Sequence, residues 1–315
     1  MPRPRRALPA GLTALVTAGL AVAGGLGLAG CGPRPIAARP GQIVAIGAEN
    51  EYANVIAQVG GRYVAVGAIE RNPNTDPHTF EASATVAREI AQARLIVQNG
   101  LGYDTYMNRL EAGSPQPRRV VIDVQHLLGV PASEPNPHLW YRTTTMPAVA
   151  AAVAGALSRM MPTHRAYFAA NVQRFDASLR PWFRALATVR AAEPRLPVAV
   201  SEPVGDYLLQ AAGARILTPF TLQADVMNGV DPAPQDISRQ EELLRSREVR
   251  VFLYNQQVTD PLTATFLATA RAAGVPVVGV YETMPPGYNY GAWMLAETRA
   301  LLAAARSGRS TTVLR

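Results

Sequence analysis

The chain has 315 residues, 48% of them hydrophobic and 17% charged, with a single cysteine and a formal net charge of +7. That balance excludes a disordered chain, a collagen-like repeat and a small disulfide scaffold, and the length suffices for one large domain or two ordinary ones. Every basic residue is an arginine, which reflects genome composition and not a binding surface.

The first thirty residues read as an export signal. Arg3, Arg5 and Arg6 precede an apolar run from Ala10 to Leu28, and small residues lead directly into Cys31. The phrase Leu28-Ala29-Gly30-Cys31 resembles the lipobox of bacterial lipoproteins, where cleavage precedes a cysteine that is then acylated. A run of this length could span a bilayer, but its five glycines and the lone cysteine favour a cleaved signal. Residues 1–30 are therefore expected to be removed and residues 31–41 to form a proline-interrupted tether, with Cys31 lipidated outside the cytoplasm. Loss of three arginines lowers the net charge to +4, which leaves no case for nucleic-acid binding.

Along the rest of the chain, short apolar runs alternate with longer helical stretches. Gln42–Ile46 reads as a strand, Glu49–Gly60 as a helix with Tyr52, Val55, Ile56 and Val59 on one face, and Tyr63–Ile69 as a second strand. A helix over Ser83–Ala93 leads into Leu95–Val97 and the breaker Asn99-Gly100, and Val120–Val124 adds another strand. Such largely apolar strands predict parallel sheets covered on both faces, with binding loops at the strand C-termini. Thr145–Arg190 is helical by periodicity and alanine content, with breaks at Pro147, Pro162 and Pro181, unless Ala166–Arg190 runs on as one helix through Pro181.

A second set of elements follows. Pro197–Ser201, Arg215–Leu217, Val249–Tyr254 and Val275–Val280 read as strands. Pro203–Ala212, Ser238–Arg245 (capped by Asp236 or Ser238), Leu262–Ala273 and Trp293–Ala305 read as helices. The fold class is thus α/β, with an N-terminal lobe over 42–164, a linking helix over 165–194, a C-terminal lobe over 195–305 and a flexible tail over 306–315.

Histidine occurs four times, and two of the four share one local phrase: Asp76-Pro77-His78-Thr79-Phe80 and Asn136-Pro137-His138-Leu139-Trp140. A turn-forming Asp or Asn and a rigid proline present each imidazole with little backbone entropy left to lose on ligation, and the aromatic two residues on can pin the loop. Glu202 and Glu282 each follow a strand, so they project where a crevice forms. Two imidazoles and two carboxylates make a sound site for a divalent ion, although His78 and His138 could equally anchor loops and the glutamates could be helix N-terminal acids. His126 reads as a packed residue, His164 as a surface one and Met160-Met161 as core.

Glu49-Asn50-Glu51-Tyr52, the His78 phrase continuing to Glu81, Ala93 to Asp104 and the His138 phrase resemble the substrate-binding lipoproteins of zinc and manganese ABC importers. The resemblance runs from about Ile43 to the terminal helix. It implies two α/β lobes with largely parallel sheets, a long rigid helix joining them, and one metal ion in the interlobe cleft. It also implies His78 and His138 as the first two ligands, Glu202 in place of a third histidine, and Glu282 where relatives often carry Asp. The partners implied are an ABC permease with a separate ATPase subunit and, through the lipid anchor, the membrane; the protein is expected to be a monomer and not an enzyme. Two departures stand out. No His-rich loop lies between Phe80 and Asn136, and the loop after Glu282 is distinctive, with Tyr288 and Tyr290 expected to roof the crevice.

The donor set has no sulfur, which disfavours Cu(I), and its carboxylates can each bind through two oxygens, which puts Mn²⁺ slightly ahead of Zn²⁺ with Fe²⁺ admissible. The rival functions are a secreted metal-dependent hydrolase, with Glu282 as general base, and a metal-dependent adhesin or scaffold. No His-Glu-x-x-His phrase supports the hydrolase.

Overall fold

The computed structural model describes residues 36–314, so the expected signal segment and Cys31 lie outside the described residues. Of the expected tether, residues 36–41 are described; Ile36 packs against the first sheet, and Gln42 accepts the Arg39 N–H and donates to the carbonyls of Arg62 and Val64. The chain then builds β1 (Ile43–Glu49), α1 (Asn50–Gly60), β2 (Val64–Glu70), α2 (Ala84–Gln92), β3 (Leu95–Gln98), α3 (Tyr106–Gly113), β4 (Val120–Asp123) and α4 (Val124–Leu128). The four strands form a wholly parallel sheet in the order β2-β1-β3-β4.

Two helices follow, α5 (Thr145–Met160) and α6 (Arg165–Ala192), and then the second lobe: β5 (Pro197–Val200), α7 (Asp206–Ala211), β6 (Arg215–Ile216), α8 (Phe220–Met227), α9 (Pro234–Arg245), β7 (Val251–Asn255), α10 (Pro261–Ala273), β8 (Val277–Val280) and α11 (Tyr290–Ser307). Its sheet is again wholly parallel, in the order β6-β5-β7-β8. Two α/β lobes joined by a long helix are what the sequence leads one to expect. Helix α9 starts earlier than expected, at Pro234 with Ala233 as its cap, so neither Asp236 nor Ser238 caps it. Proline at the first helical position supplies the helical φ and gives up an N–H that had no partner there anyway.

Alternation along each strand explains why both sheets are covered on two sides. In β1 and β3, Ala45, Leu95 and Val97 face the main core, whereas Ile46 and Ile96 face a smaller cluster under α2 and α3. In β5 and β7, Val198, Val200, Val251 and Leu253 face the main core, and Ala199, Phe252 and Tyr254 face a cluster under α8, α9 and α10. A two-residue period puts successive side chains on opposite faces, so an apolar strand needs a layer on each.

The main core runs through both lobes, with α6 as its spine. Phe168, Asn171, Phe175, Leu179, Trp182, Leu186 and Val189 are buried at spacings of three and four, which makes one stripe down a 28-residue helix about 42 Å long. Pro181 lies inside this helix without ending it, because it sits on the half-exposed side, where the missing N–H leaves the carbonyl one turn earlier open to water. Residues 308–314 are not a loose tail. Thr311 pairs with Val278 as a short parallel bridge, with bonds from Thr311 N–H to Val277 O and from Gly279 N–H to Thr311 O, both 2.8 Å. A Cβ on Gly279 would stand 2.0 Å from the Thr312 carbonyl oxygen, so only glycine lets the strap lie this close. No helix among the described residues is long and apolar enough to cross a membrane.

Candidate metal centre

The two histidine phrases fold as their residues dictate. Asp76 Oδ1 accepts the His78 N–H at 2.8 Å, and Asn136 Oδ1 accepts the His138 N–H at 3.0 Å. Each side chain thus closes the turn that presents the imidazole. Both turns stand beyond the C-terminal ends of strands in the first sheet. Trp140 is fully buried with its ring edge-on to His138, and Phe80 packs half-buried against Tyr106. Glu202 and Glu282 follow β5 and β8 in the opposite lobe, both buried.

Three of these residues, His78, His138 and Glu282, meet at one atom. Glu282 Oε2 lies 3.1 Å from His78 Nε2, 3.2 Å from His138 Nε2 and 3.0 Å from the Tyr103 hydroxyl that donates to it. Among the described residues, His78, His138 and Glu282 form the one group with potential ligand atoms all within 4.8 Å of one another. Glu202 stands just outside that group. Its Oε1 accepts from Asn255 Nδ2 at 3.0 Å, the same nitrogen that donates to Glu282 Oε1 at 2.7 Å, and its Oε2 is buried with no hydrogen-bond partner.

Proton placement follows from the network. Asn136 Nδ2 donates to the Pro203 carbonyl at 2.8 Å, which orients the amide so that its oxygen faces the His138 ring, 2.8 Å from Nδ1. Nδ1 therefore carries the proton and Nε2 is the bare nitrogen aimed at Glu282. Burial lowers the His138 pKa, with the Glu282 hydrogen bond opposing, so the ring stays neutral. For Glu282, burial alone would raise the pKa, but the charge and hydrogen bond of His78 pull it well below the usual carboxylate range. His78 is pushed up because the Glu282 carboxylate outweighs desolvation. Glu202 is raised, first by burial and then by the nearby Glu282 charge. A bare imidazole nitrogen facing an ionised carboxylate oxygen in a buried pocket is an arrangement that a cation completes.

The His78 side chain is 22% exposed, against 0% for His138 and Glu282. A cavity of about 450 Å³ lined by Asp76, His78, Met227, Gln257 and Asp260 opens onto it, which makes this the solvent side of the centre. Polar ties across the lobes close the other sides. Asn50 exchanges two bonds with the Met284 backbone at 2.8 and 2.9 Å, and Gln257 Nε2 donates to Thr75 O at 2.8 Å while its Oε1 accepts the N–H groups of Glu282 and Thr283.

Other sequence-based expectations fall elsewhere. Tyr290 does not roof the crevice: as the first residue of α11 it is turned into the core against Phe175, Trp182 and Trp293, and its hydroxyl donates to Trp140 O. Tyr288 is half-buried against the main core. His126 is exposed, not packed, and its Nδ1 lies 3.1 Å from Asp123, because the short α4 turns it outward. His164 stacks on Tyr63 at 4.0 Å.

Tyr103, Asn136 and Asn255 are site residues that the sequence left without roles. For Tyr103 a signal existed. Gly100, Leu101 and Gly102 all have positive φ, at 73°, 53° and 81°, and the Asp104 carboxylate accepts the N–H groups of Asn99 and Gly100. That turn sets the Tyr103 ring edge-on against both His78 and His138. Glu49, Glu51 and Glu70 are buried nearby, and burial raises all three.

The family model described as "ZnuA: Zinc-uptake complex component A periplasmic" matches residues 48–304. A stretch of 152 residues is 27% identical to the zinc-binding protein TroA of Treponema pallidum (strain Nichols), covering 46% of this chain; the match spans about half the length of that curated relative. Over the whole fold, the solved periplasmic zinc-binding protein TroA superposes with a TM-score of 0.70 at 16% identity, covering 85% of this chain and 100% of that one. The Mn-bound periplasmic metal-binding protein of Candidatus Liberibacter asiaticus gives 0.69 at 17% identity, covering 84% and 100%, and its Cd-bound form gives the same values. The structural matches speak to the fold; the sequence match over residues 48–304 decides the family, and this chain belongs to the periplasmic ZnuA family of zinc-uptake components.

Proposed function

We propose that this chain is an extracytoplasmic carrier that captures one divalent metal ion between its lobes and hands it to an ABC permease powered by a separate ATPase subunit. The ligands in this reading are His78, His138, Glu202 and Glu282. Two neutral imidazoles and two carboxylates neutralise a divalent ion, and with all four bound no open position remains for an activated water. The chain then binds and carries, with no catalytic step. Lipidation at Cys31 would hold it at the membrane as a monomer. The ion is one of Zn²⁺, Mn²⁺ or Fe²⁺; the preference for Mn²⁺ drawn from the donor set rests on bidentate carboxylates, a point on which Asn255 bears.

The supporting observation is the convergence of His78 Nε2 and His138 Nε2 on Glu282 Oε2, with the other His138 nitrogen committed to Asn136. Protein purified without added metal and titrated calorimetrically with each ion should bind one equivalent tightly. His138→Ala and Glu282→Gln should each weaken binding by more than the 10–100-fold typical of losing an outer-shell partner. Undiminished binding in either variant would remove that side chain from the site.

A further inference from the structure

Asn255 closes β7 and is fully buried. Its position is determined from three sides. The backbone N–H donates to Ser201 Oγ at 2.9 Å, the side-chain Oδ1 accepts the Gln257 N–H at 3.0 Å, and Nδ2 is left to donate to Glu282 Oε1 at 2.7 Å and Glu202 Oε1 at 3.0 Å. Because the oxygen is committed to a backbone donor, the amide cannot flip without setting two N–H groups against each other. An amide nitrogen has two hydrogens, and here each serves one carboxylate.

The two acids are therefore divided in the same way. In each, Oε1 belongs to Asn255. In Glu282 the remaining oxygen faces His78, His138 and Tyr103, and in Glu202 the remaining oxygen is buried and unpartnered. For either glutamate to chelate through both oxygens, its Oε1 would have to leave Nδ2 and strand a buried N–H, a loss comparable to breaking a hydrogen bond without replacing it.

We infer that Asn255 sets the coordination number of this site: by holding one oxygen of Glu202 and one of Glu282 it limits each to a single metal bond, and so selects a four-coordinate ion, Zn²⁺, over Mn²⁺. The inference rests on the four-ligand reading above. Two nitrogens and two single oxygens make a closed tetrahedral set, which suits Zn²⁺, whereas Mn²⁺ favours six ligands rich in oxygen. Asn255 is a positioning residue, since it acts on the ion through the carboxylates. It reverses the preference that carboxylate chemistry alone suggests.

The test uses the purified chain loaded with Co²⁺, whose visible absorption is intense in tetrahedral sites and weak in octahedral ones, together with competition titrations of Zn²⁺ against Mn²⁺. Wild-type protein should show the intense spectrum. Asn255→Ala, which frees both Oε1 atoms, should weaken the spectrum and lower the Zn²⁺/Mn²⁺ affinity ratio at least tenfold, within the range for outer-shell changes. Asn255→Ser, with one hydroxyl hydrogen, can hold one acid and should fall between. A weak, octahedral spectrum in the wild type overturns the inference even if neither variant folds, as does an unchanged ratio in both variants. Failure of the wild type to bind Zn²⁺, Mn²⁺ or Co²⁺ at all would instead overturn the metal-carrier reading on which it rests.

Discussion

The raised pKa of His78 and the depressed pKa of Glu282 are two sides of one contact, and their consequences for metal binding have opposite reach. Glu282 stays ionised through any ordinary pH, so it does not limit binding. His78 must lose its proton to ligate, and because its pKa lies above the usual value near 6.5, proton competition begins close to neutrality. Affinity should therefore fall as pH drops through 7 towards 5, with protons released on binding at pH 6 by His78 and also by Glu202, whose pKa burial raises, measured by calorimetry in buffers of different ionisation enthalpy; zero release there would contradict the shift on His78. Tyr103 offers a second test at this scale. Its hydroxyl shares Glu282 Oε2 with both histidines, so Tyr103→Phe should cost about tenfold in affinity while leaving the fold intact, as expected of an outer-shell donor.

Helix α11 carries a buried network of a different kind. Glu297 accepts from Trp293 Nε1 at 2.7 Å and from the Tyr141 hydroxyl at 2.8 Å, and that hydroxyl is also 2.8 Å from Tyr281 O, beside Glu282. Burial raises Glu297 to about 8 despite these bonds. Between pH 4.5 and 8 the folded chain keeps a proton that the unfolded chain has lost, so stability falls as pH rises across that window and levels off above it. Asp104 and Asp206, each raised to about 7 by burial, add the same sign at lower pH. Glu297→Gln should remove one proton from the slope, about 1.4 kcal/mol per pH unit, measured by urea unfolding of ion-free protein at pH 5 and 8; an unchanged slope would place the titration elsewhere. The strap beyond α11 is also testable. Thr311, Ser310 and Leu314 bond to Val277, Gly279 and Tyr281, so deleting residues 309–315 should cost about 1–3 kcal/mol, and no loss of thermal stability would show the strap to be idle.

At the scale of the whole molecule, the lobes share one apolar core around α6, and the aromatic series Phe175, Tyr290, Trp182, Trp293, Tyr141 and Trp140 passes from one to the other. Rigid-body opening through a large angle would break that packing, so ion exchange is better served by small shifts at the cleft, where the loop bearing His78 is exposed. The Asn50 clasp on Met284 resists such shifts. Asn50→Ala, which removes both bonds, should destabilise the ion-free chain by about 1–3 kcal/mol and speed metal release, measured by chelator-driven dissociation; an unaltered release rate would mean that this clasp stays shut during exchange.

The sequence by itself determined what depends on neighbours along the chain. Alternation of short apolar runs with helical stretches specified two parallel-sheet lobes, because periodicity is a local property that burial then uses; whether the helix between them breaks at Pro181 or runs through it stayed open in the sequence, and α6 runs through it. The Asx-Pro-His phrases worked in the same way, each closing its turn with its own side chain. Glu202 and Glu282 were legible as residues just past strands. Only the tertiary structure decided which atoms share a partner. Nothing near Asn255 in sequence shows that its amide reaches across to two acids 53 and 27 residues away, nor that Asn136 fixes a histidine tautomer through Pro203. Tyr290 shows the converse: it follows the Glu282 loop in sequence, but the start of α11 rotates it into the core. Direction in space, set by the packing of distant elements, is what separates a residue beside a site from one inside it.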